Sequence, residues 1–311
     1  MNAPRTVRWG IGLALVAAGI SGLSIYLNGL YVREFPDQTL LAAVRNSLVG
    51  LALLGALAAS RRSGELRGLA MRNRAGLLAI AIIGGSIPFA LFFTGLAMTT
   101  APGAALIQKT LFVWVALLAM VVLGERLGWA QVAGVVLLLA GTLLVTPGSV
   151  TAGPGEALIL VATLLWAVEV LIAKRVLGGV ATLPAATARM AIGGLVLLGI
   201  VLFNGHLGQL GEWSPRQWTI VLATGALLCG YVLAWYGALR RAPASVVTSV
   251  LVVGAVITSG LQALGTGKLP DAARLGGLAL LAVGTVVVVA SALGWLGRRR
   301  APTVIAGSAD G

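Results

Sequence analysis

The stretch Leu40-Leu-Ala-Ala-Val-Arg45-Asn-Ser-Leu-Val-Gly-Leu51 returns, with its arginine 144 residues later, as Leu183-Pro-Ala-Ala-Thr-Ala-Arg189-Met-Ala-Ile-Gly-Gly194. Two more stretches repeat at nearly the same spacing: Gly95–Pro102 returns as Gly237–Pro243, and Leu139–Thr142 returns as Ala282–Thr285. The chain is therefore one unit duplicated, and each unit holds five apolar spans. Because an odd number of membrane crossings turns the second copy upside down, the repeat predicts an inverted duplication, the architecture of alternating-access transporters.

Composition places the chain in a membrane. Of its 311 residues 59% are hydrophobic and only 10% are charged, which predicts an all-α polytopic membrane protein. The net charge of +13 would suggest a nucleic-acid partner in a soluble chain, but the basic residues are spread between apolar spans, so we expect none. The single cysteine, Cys229, lies in an apolar run. We therefore expect no disulfide, no metal site and no cofactor.

A bilayer core of about 30 Å needs about 20 apolar residues per helix, and on that measure the chain contains ten transmembrane helices. They are predicted at residues 9–29, 38–58, 75–97, 102–123, 128–146, 155–174, 183–203, 216–238, 243–264 and 273–296. A Gly/Pro/Ser/Thr-rich segment separates the copies. The predicted domains are a first five-helix repeat at 1–146, a periplasmic linker at 147–154, a second, inverted five-helix repeat at 155–297, and a cytoplasmic disordered tail at 298–311.

Basic residues between the spans indicate the orientation in the membrane. With the N-terminus placed in the cytoplasm, fifteen lysines and arginines fall on the inner side and four on the outer side. This positive-inside bias predicts that both termini are cytoplasmic. The four outer residues are Arg33, Arg216, Lys268 and Arg274.

Four ionisable residues fall within the spans: Arg45, Lys109, Glu169 and Arg189. A charge at mid-membrane costs about 2.5–3.5 kcal/mol even on the most lenient scale, so these side chains should face a cavity or one another. Counting the helical rise puts Arg45 and Lys109 about 10–12 Å below the outer surface. Glu169 and Arg189 lie at similar levels near the inner surface.

Two interpretations of Glu169 remain open. It can form a buried ion pair with Arg189 that fixes two neighbouring helices, or it can bind a proton on one side of the membrane and release it on the other. The two are compatible, because a proton-coupled site must neutralise its carboxylate with either a proton or a partner. We assign proton coupling to Glu169 and Arg189.

Arg45 and Lys109 have no acid at their own depth. Two cations facing one cavity would hold a carboxylate or a phosphate, the arginine through its planar fork and the lysine as a point charge. The alternative is that each side chain reaches the membrane surface or binds backbone carbonyls. Gln108, beside Lys109, adds a hydrogen-bond donor and an acceptor.

The two copies differ along their first helices. Trp166 and Glu169 share one face of the sixth span, whereas the equivalent face of the first span carries Ser21, Ser24 and Asn28. The polar stripe of the first span, and Trp166 with Glu169 at the equivalent positions of the sixth span, mark candidate cavity walls.

Aromatic pairs at helical spacing occupy matching places in the third and eighth spans. Phe89 and Phe93 in one match Tyr231 and Trp235 in the other. Such pairs are common in packed cores, but Tyr and Trp carry polar groups that need partners at depth, which favours a cavity wall. Pro88, in the middle of the third span, predicts a kink and a hinge there.

The stretch from Gly95 through Leu123-Gly-Glu-Arg-Leu127 to Gly141-Thr142 resembles the EamA family of the drug/metabolite transporter (DMT) superfamily. The resemblance covers roughly residues 9–290. It implies a ten-helix exporter of amino acids, nucleobases or other metabolites, commonly in exchange for protons, as a multi-pass protein of the bacterial or archaeal plasma (inner) membrane. The second copy departs from the Gly-Glu turn: it reads Gly265-Thr-Gly-Lys-Leu269, so Glu125 has no symmetric partner.

A shorter similarity concerns Glu169 itself. The run Val168-Glu-Val-Leu171 is similar to the first helix of small multidrug-resistance proteins of the same superfamily, whose acid exchanges protons for cations. The similarity implies that Glu169 is the coupling residue.

Together these features predict a secondary active transporter, a proton-coupled exporter of small polar metabolites such as amino acids, working by alternating access and proton antiport. The alternatives are an exchanger of anions or phosphorylated metabolites and an efflux protein for cationic drugs. Outside transport they are an integral-membrane enzyme or a structural protein, although no nucleophile motif supports an enzyme. The predicted substrate-binding residues are Lys109, Arg45, Gln108, Trp166, Tyr231, Trp235, Ser24 and Asn28. The expected partners are a small-molecule substrate, protons and membrane lipids, and the sequence leaves the oligomeric state open, a monomer included.

Overall fold

The structure, a computed structural model, describes residues 5–60, 68–146 and 153–296. Ten helical spans and no strand lie in these ranges. Nine are long and apolar enough to cross a membrane, and the tenth, Trp129–Val145, is apolar but shorter. The predicted all-α, ten-helix fold is confirmed. The predicted tail at 298–311 and most of the predicted linker, residues 147–152, lie outside the described residues.

The helices follow one another with short connections. In chain order they are α1 (Arg5–Tyr31), α2 (Gln38–Ala59), α3 (Met71–Ala97), α4 (Pro102–Val122), α5 (Trp129–Val145), α6 (Pro154–Val176), α7 (Thr182–Phe203), α8 (Pro215–Arg241), α9 (Ala244–Thr266) and α10 (Ala272–Ala292). Short 3₁₀ segments follow α1 at Val32–Glu34 and α7 at His206–Glu212.

Several helix ends differ from the prediction by a few residues. Helix α1 begins at Arg5 rather than at residue 9, and α8 continues to Arg241 rather than ending at residue 238. Counting apolar residues misses these turns because it stops at charged side chains. Backbone hydrogen bonding continues through them, since a long basic side chain reaches water and, in a last turn, interacts favourably with the helix dipole.

Reciprocal glycine contacts demonstrate the inversion. Gly134 of α5 packs against Gly284 of α10, and Gly141 packs against Gly277. The residue numbers run in opposite directions along the two helices, so α5 and α10 are antiparallel. Since they are equivalent helices of the two copies, the copies are inverted. Helices α2 and α7 show the same pattern, with Gly50 against Ala191 and Gly194 against Ser47.

Two further helix pairs join the copies. Helix α1 packs on α8, and in the equivalent pair α6 packs on α3. Each copy therefore lays its first helix against the third helix of the other copy. This arrangement brings α3 of the first copy up to α6 and α7 of the second.

Three helices are interrupted. Helix α3 contains a π-helical turn at Ile80–Gly84 and restarts as an α-helix at Ile87, directly before Pro88. The break predicted from Pro88 is present. Helices α4 and α9 break at the equivalent positions Thr110 and Val252, so both copies divide the fourth helix in the same place.

The contact between α5 and α10 predicts the effect of a matched pair of substitutions. A Cβ on Gly277 would lie 2.9 Å from the Gly141 carbonyl oxygen, whereas one on the adjacent Gly276 would meet no atom within 4 Å. Gly277→Val should therefore lower the free energy of unfolding by about 1–3 kcal/mol more than Gly276→Val, because it forces the helices apart. Thermal unfolding of the purified protein in detergent measures this. Equal loss in both variants would show that the close approach is not needed.

Candidate functional site

Glu169 lies at the centre of a buried polar cluster. Its side chain is 2% exposed, and the Tyr236 hydroxyl donates a hydrogen bond to its Oε1 at 2.5 Å. The Arg189 Nε lies 3.7 Å from the same oxygen. The cluster joins α6, α7 and α8 of the second copy. The structure thus brings the two residues that we assigned to proton coupling into contact, and the coupling role itself stays a prediction.

A backbone carbonyl of the first copy completes this cluster. The Gly84 oxygen accepts hydrogen bonds from Arg189 Nη2 at 3.1 Å and from Trp166 Nε1 at 3.3 Å. In a regular helix this oxygen would accept from the amide four residues later, but that residue is Pro88, which has no N–H. Proline therefore frees a carbonyl deep in the bundle, and two side chains of the other copy use it.

Glycine is required where α3 meets this cluster. A Cβ on Gly84 would collide with the Glu169 side chain, and one on Gly85 would collide with the Arg189 carbonyl oxygen. The small residues let the backbone of α3 approach the ion pair closely. The cluster formed by Glu169, Arg189, Tyr236, Trp166 and the Gly84 carbonyl is called the polar centre below.

Aromatic rings cover the polar centre on the α3 side. The ring of Trp166 lies edge-on to Phe89, with centroids 5.2 Å apart, and 5.8 Å from Phe92. The Tyr231 and Trp235 rings stack on each other at 6.1 Å with an interplanar angle of 12°. Trp166 and Trp235, two of the predicted binding residues, are therefore buried and in contact with other rings.

The two cations expected to share one cavity have different partners. Lys109 Nζ donates to the Thr146 hydroxyl at the end of α5, at 2.8 Å. Arg45 Nη1 instead lies 3.4 Å from Asn28 Oδ1 on α1. Gln108 is exposed, and Ser24 is half-buried one turn before Asn28. Joint binding of a substrate by Arg45 and Lys109 stays a prediction.

Both copies match the model of a known family. The model of the EamA-like transporter family matches residues 8–146 and again residues 153–290. The chain belongs to the EamA-like transporter family. The two matches coincide with the two inverted copies.

One relative and one solved structure agree with this. A protein of Methanothermobacter thermautotrophicus named "Uncharacterized transporter" is 28% identical over 200 residues, a match that covers 61% of this chain and 57% of the relative. A solved structure described as "Crystal structure of protein" superposes with a TM-score of 0.74 over 94% of this chain and 99% of its own, at 20% identity. That likeness shows the fold alone.

Tyr236 is a member of the polar centre that the sequence analysis missed. It is fully buried. It directly follows Trp235 in α8, but it lies on a different side of the helix from the face that Tyr231 and Trp235 share. A tyrosine hydroxyl inside a span needs a partner, and this signal could have pointed to Glu169.

Glu125, in the Gly-Glu turn after the fourth helix, caps a helix of the other copy. Its carboxylate accepts hydrogen bonds from the Ala244 N–H at 2.7 Å, the Ser245 N–H at 3.2 Å and the Ser245 hydroxyl at 2.5 Å. Gly124 makes the turn with a φ of +66°. Glu125 therefore satisfies the free amides at the start of α9.

The second copy has Lys268 at the position of Glu125, and the starts of the two fourth helices explain why no acid is needed there. Helix α9 follows Pro243, which offers no side-chain acceptor, whereas the fourth helix follows Thr100, whose hydroxyl accepts from the Gly103 N–H at 3.3 Å. The first copy caps its own helix, so an acid at the position of Lys268 is not needed for that purpose.

The cap predicts a stability difference between neighbouring residues. Glu125→Ala should destabilise the protein by about 1–3 kcal/mol, because it leaves the first amides of α9 without an acceptor. Arg126→Ala, at the exposed next residue, should change stability by less than about 0.5 kcal/mol. Chemical or thermal unfolding in detergent distinguishes the two. A Glu125→Ala protein as stable as the Arg126→Ala control would contradict the capping role.

Proposed function

We propose that this protein is a proton-coupled secondary transporter that exports small polar metabolites, such as amino acids, by alternating access. Transport rather than catalysis agrees with the family description and with the name of the relative. The proposal includes a multi-pass orientation in a plasma membrane with both termini in the cytoplasm.

The observation that carries the proposal is the contact between the copies at the Gly84 carbonyl. Arg189 and Trp166 belong to the second copy, and the oxygen they bind belongs to the first. Movement of one copy against the other must change or break these hydrogen bonds. The same arginine lies 3.7 Å from the Glu169 carboxylate, so the charge of Glu169 and the relative position of the copies are linked.

The charge balance of the polar centre explains how a proton would act. With Glu169 ionised, the carboxylate and the Arg189 guanidinium form a neutral pair with a tyrosine donor. A proton on Glu169 removes the counter-charge and leaves the arginine held by a neutral carbonyl. A buried charge without its partner is strongly destabilising. Protonation therefore favours any conformation in which Arg189 reaches another partner or water, and this is a shift between two states.

Efflux of cationic drugs is the second candidate, and the aromatic surroundings of Glu169 favour it. Trp166, in the polar centre with its only acid, is in ring contact with both Phe89 and Phe92. Aromatic faces attract organic cations, and a carboxylate that has given up its proton would supply the counter-charge. Both candidates assign the same coupling role to Glu169.

Transport by proteoliposomes with an imposed pH gradient tests the proposal. The panel contains radiolabelled amino acids, nucleobases and cationic drugs, and Glu169→Gln is compared with the wild type. We expect Glu169→Gln to lose gradient-driven flux by at least about a hundredfold, a size typical of removing an essential proton acceptor. Exchange of labelled for unlabelled substrate, which needs no net proton movement, should continue.

The matched control is Glu212→Gln, the same substitution at an exposed acid of the 3₁₀ segment after α7, which should transport like the wild type. Continued exchange in Glu169→Gln shows that the variant is folded and inserted. Gradient-driven flux at the wild-type rate in Glu169→Gln would refute proton coupling at this residue.

A further inference from the structure

The two copies contain the same arginine in unequal surroundings: Arg189 is buried, whereas Arg45 is half-buried. Arg189 has the Glu169 carboxylate at 3.7 Å and the Gly84 carbonyl at 3.1 Å. Its counterpart Arg45 has the Asn28 side-chain oxygen at 3.4 Å. Among the described residues no carboxylate lies within 4.0 Å of the Arg45 guanidinium, and its Nε is buried without a hydrogen-bond partner.

The sequence explains why the acid is missing. The first helices of the copies align with an offset of 145 residues, so the position of Glu169 in α6 corresponds to Ser24 in α1. Ser24 and Asn28 provide neutral oxygens only. A full positive charge thus lies half-buried about 10 Å into α2 without the carboxylate that the other copy supplies. Such a charge is costly in a membrane unless an anion joins it.

A pocket opens beside this region at the predicted outer end of the bundle. It has a volume of about 670 Å³ and lies between α1 and α8, with Leu27, Thr224 and Arg216 in its wall. The next residues along these helices border the arginine: Asn28 accepts from Arg45, and a Cβ on Gly225 would lie 3.8 Å from the Arg45 Cγ. Arg45 therefore lies next to the segments of α1 and α8 that form the wall, although it is not itself one of the lining residues.

The charge around the pocket suits an anionic ligand. Arg216 at its rim is 71% exposed and pairs with Glu34 at 2.9 Å, so the charge of Arg216 is balanced, whereas the charge of the half-buried Arg45 is not. A pocket of this volume is within the range that holds a small molecule. An arginine fork binds carboxylates and phosphates in two-point geometry.

We infer that Arg45 is the receptor for the oxyanion group, a carboxylate or a phosphate, of a ligand that exchanges with the outer side through the outer pocket; an exported substrate would leave by this route. The second copy shows what this arginine position accepts, because there the carboxylate is built into the chain as Glu169. In the first copy the ligand supplies it. The inference rests on the proposed function in one respect, namely that the ligand is a transported substrate; the anion site itself does not depend on proton coupling.

The test gives Arg45 an internal carboxylate and measures whether a free oxyanion then binds more weakly. Asn28→Asp replaces an amide by a carboxylate of the same size at the observed contact, and Arg45→Gln removes the charge. Purified proteins in detergent are titrated separately with sodium acetate and with sodium phosphate, against sodium chloride at equal ionic strength. The readout is the rise in unfolding temperature, which reports the dissociation constant of a ligand that binds the folded state.

We expect a saturable rise for the wild type with at least one of the two oxyanions, and the one that acts identifies the preferred group. Both variants should bind it at least about tenfold more weakly. Arg33→Gln, which removes an exposed arginine at the same end, is the matched control and should bind like the wild type. Without added oxyanion, Asn28→Asp should unfold at or above the wild-type temperature, because it completes an internal ion pair.

Two results would overturn the inference: neither oxyanion stabilises the wild type beyond chloride, or Asn28→Asp binds the oxyanion as tightly as the wild type does. The titration uses no pH gradient. Its failure would leave Glu169-dependent flux untouched, and loss of proton coupling would leave oxyanion binding at Arg45 untouched.

Discussion

The polar centre depends on a carbonyl oxygen that its own helix cannot use. Pro88 removes the amide that would have bound Gly84, and the π-helical turn at Ile80–Gly84 accommodates the break. In a membrane an unsatisfied carbonyl is as costly as a misplaced polar side chain. Here Arg189 and Trp166 satisfy it from the opposite copy. The hydrogen bond from Arg189 to the Gly84 oxygen stabilises the buried guanidinium. It also makes the surroundings of that cation depend on the position of the first copy.

Symmetry builds the scaffold, and departures from symmetry carry the chemistry. The glycine contacts of α5 with α10 repeat reciprocally, as do the contacts of α1 with α8 and of α3 with α6. The acids do not repeat. Glu125, which caps α9, corresponds to Lys268. Glu169 corresponds to Ser24, so Arg189 has a carboxylate partner and Arg45 has only the neutral oxygen of Asn28. A fully symmetric protein would hold both sites in the same state. In our proposal, this inequality gives the proton and the substrate separate binding sites.

Much of this fold was predictable because bilayer physics limits the choices. Span length, the odd number of spans and the repeated arginine together require ten helices in inverted copies, and the structure has them. Pro88 predicted the break in α3, since a proline within a span always removes a helical bond. What the sequence does not contain is the acceptor on the other side of that break. The Gly84 carbonyl is backbone, and no residue pattern marks it.

The ion pair of the polar centre was predictable from charge, and Trp166 from its place on the same helix face as Glu169. Glu169 and Arg189 were paired from depth alone, because buried charges of opposite sign must find each other. Tyr236 was missed because a neutral hydroxyl gives a weaker signal. Depth places Lys109 and Arg45 at the same level but says nothing about direction around a helix axis, and the hydrogen bond from Lys109 to Thr146 could not be read from it. Helix rotation and side-chain reach require the packed structure.

The most direct test of the central claim is infrared difference spectroscopy of the purified protein between low and high pH, which detects the carbonyl stretch of a protonated carboxylic acid in a buried site. If Glu169 exchanges its bond with Arg189 for a proton, the wild type will show such a band, Glu169→Gln will lack it, and Tyr236→Phe will shift it because the phenol binds the same oxygen. A wild-type spectrum without any band that depends on Glu169 across the pH range in which the protein transports would contradict the account.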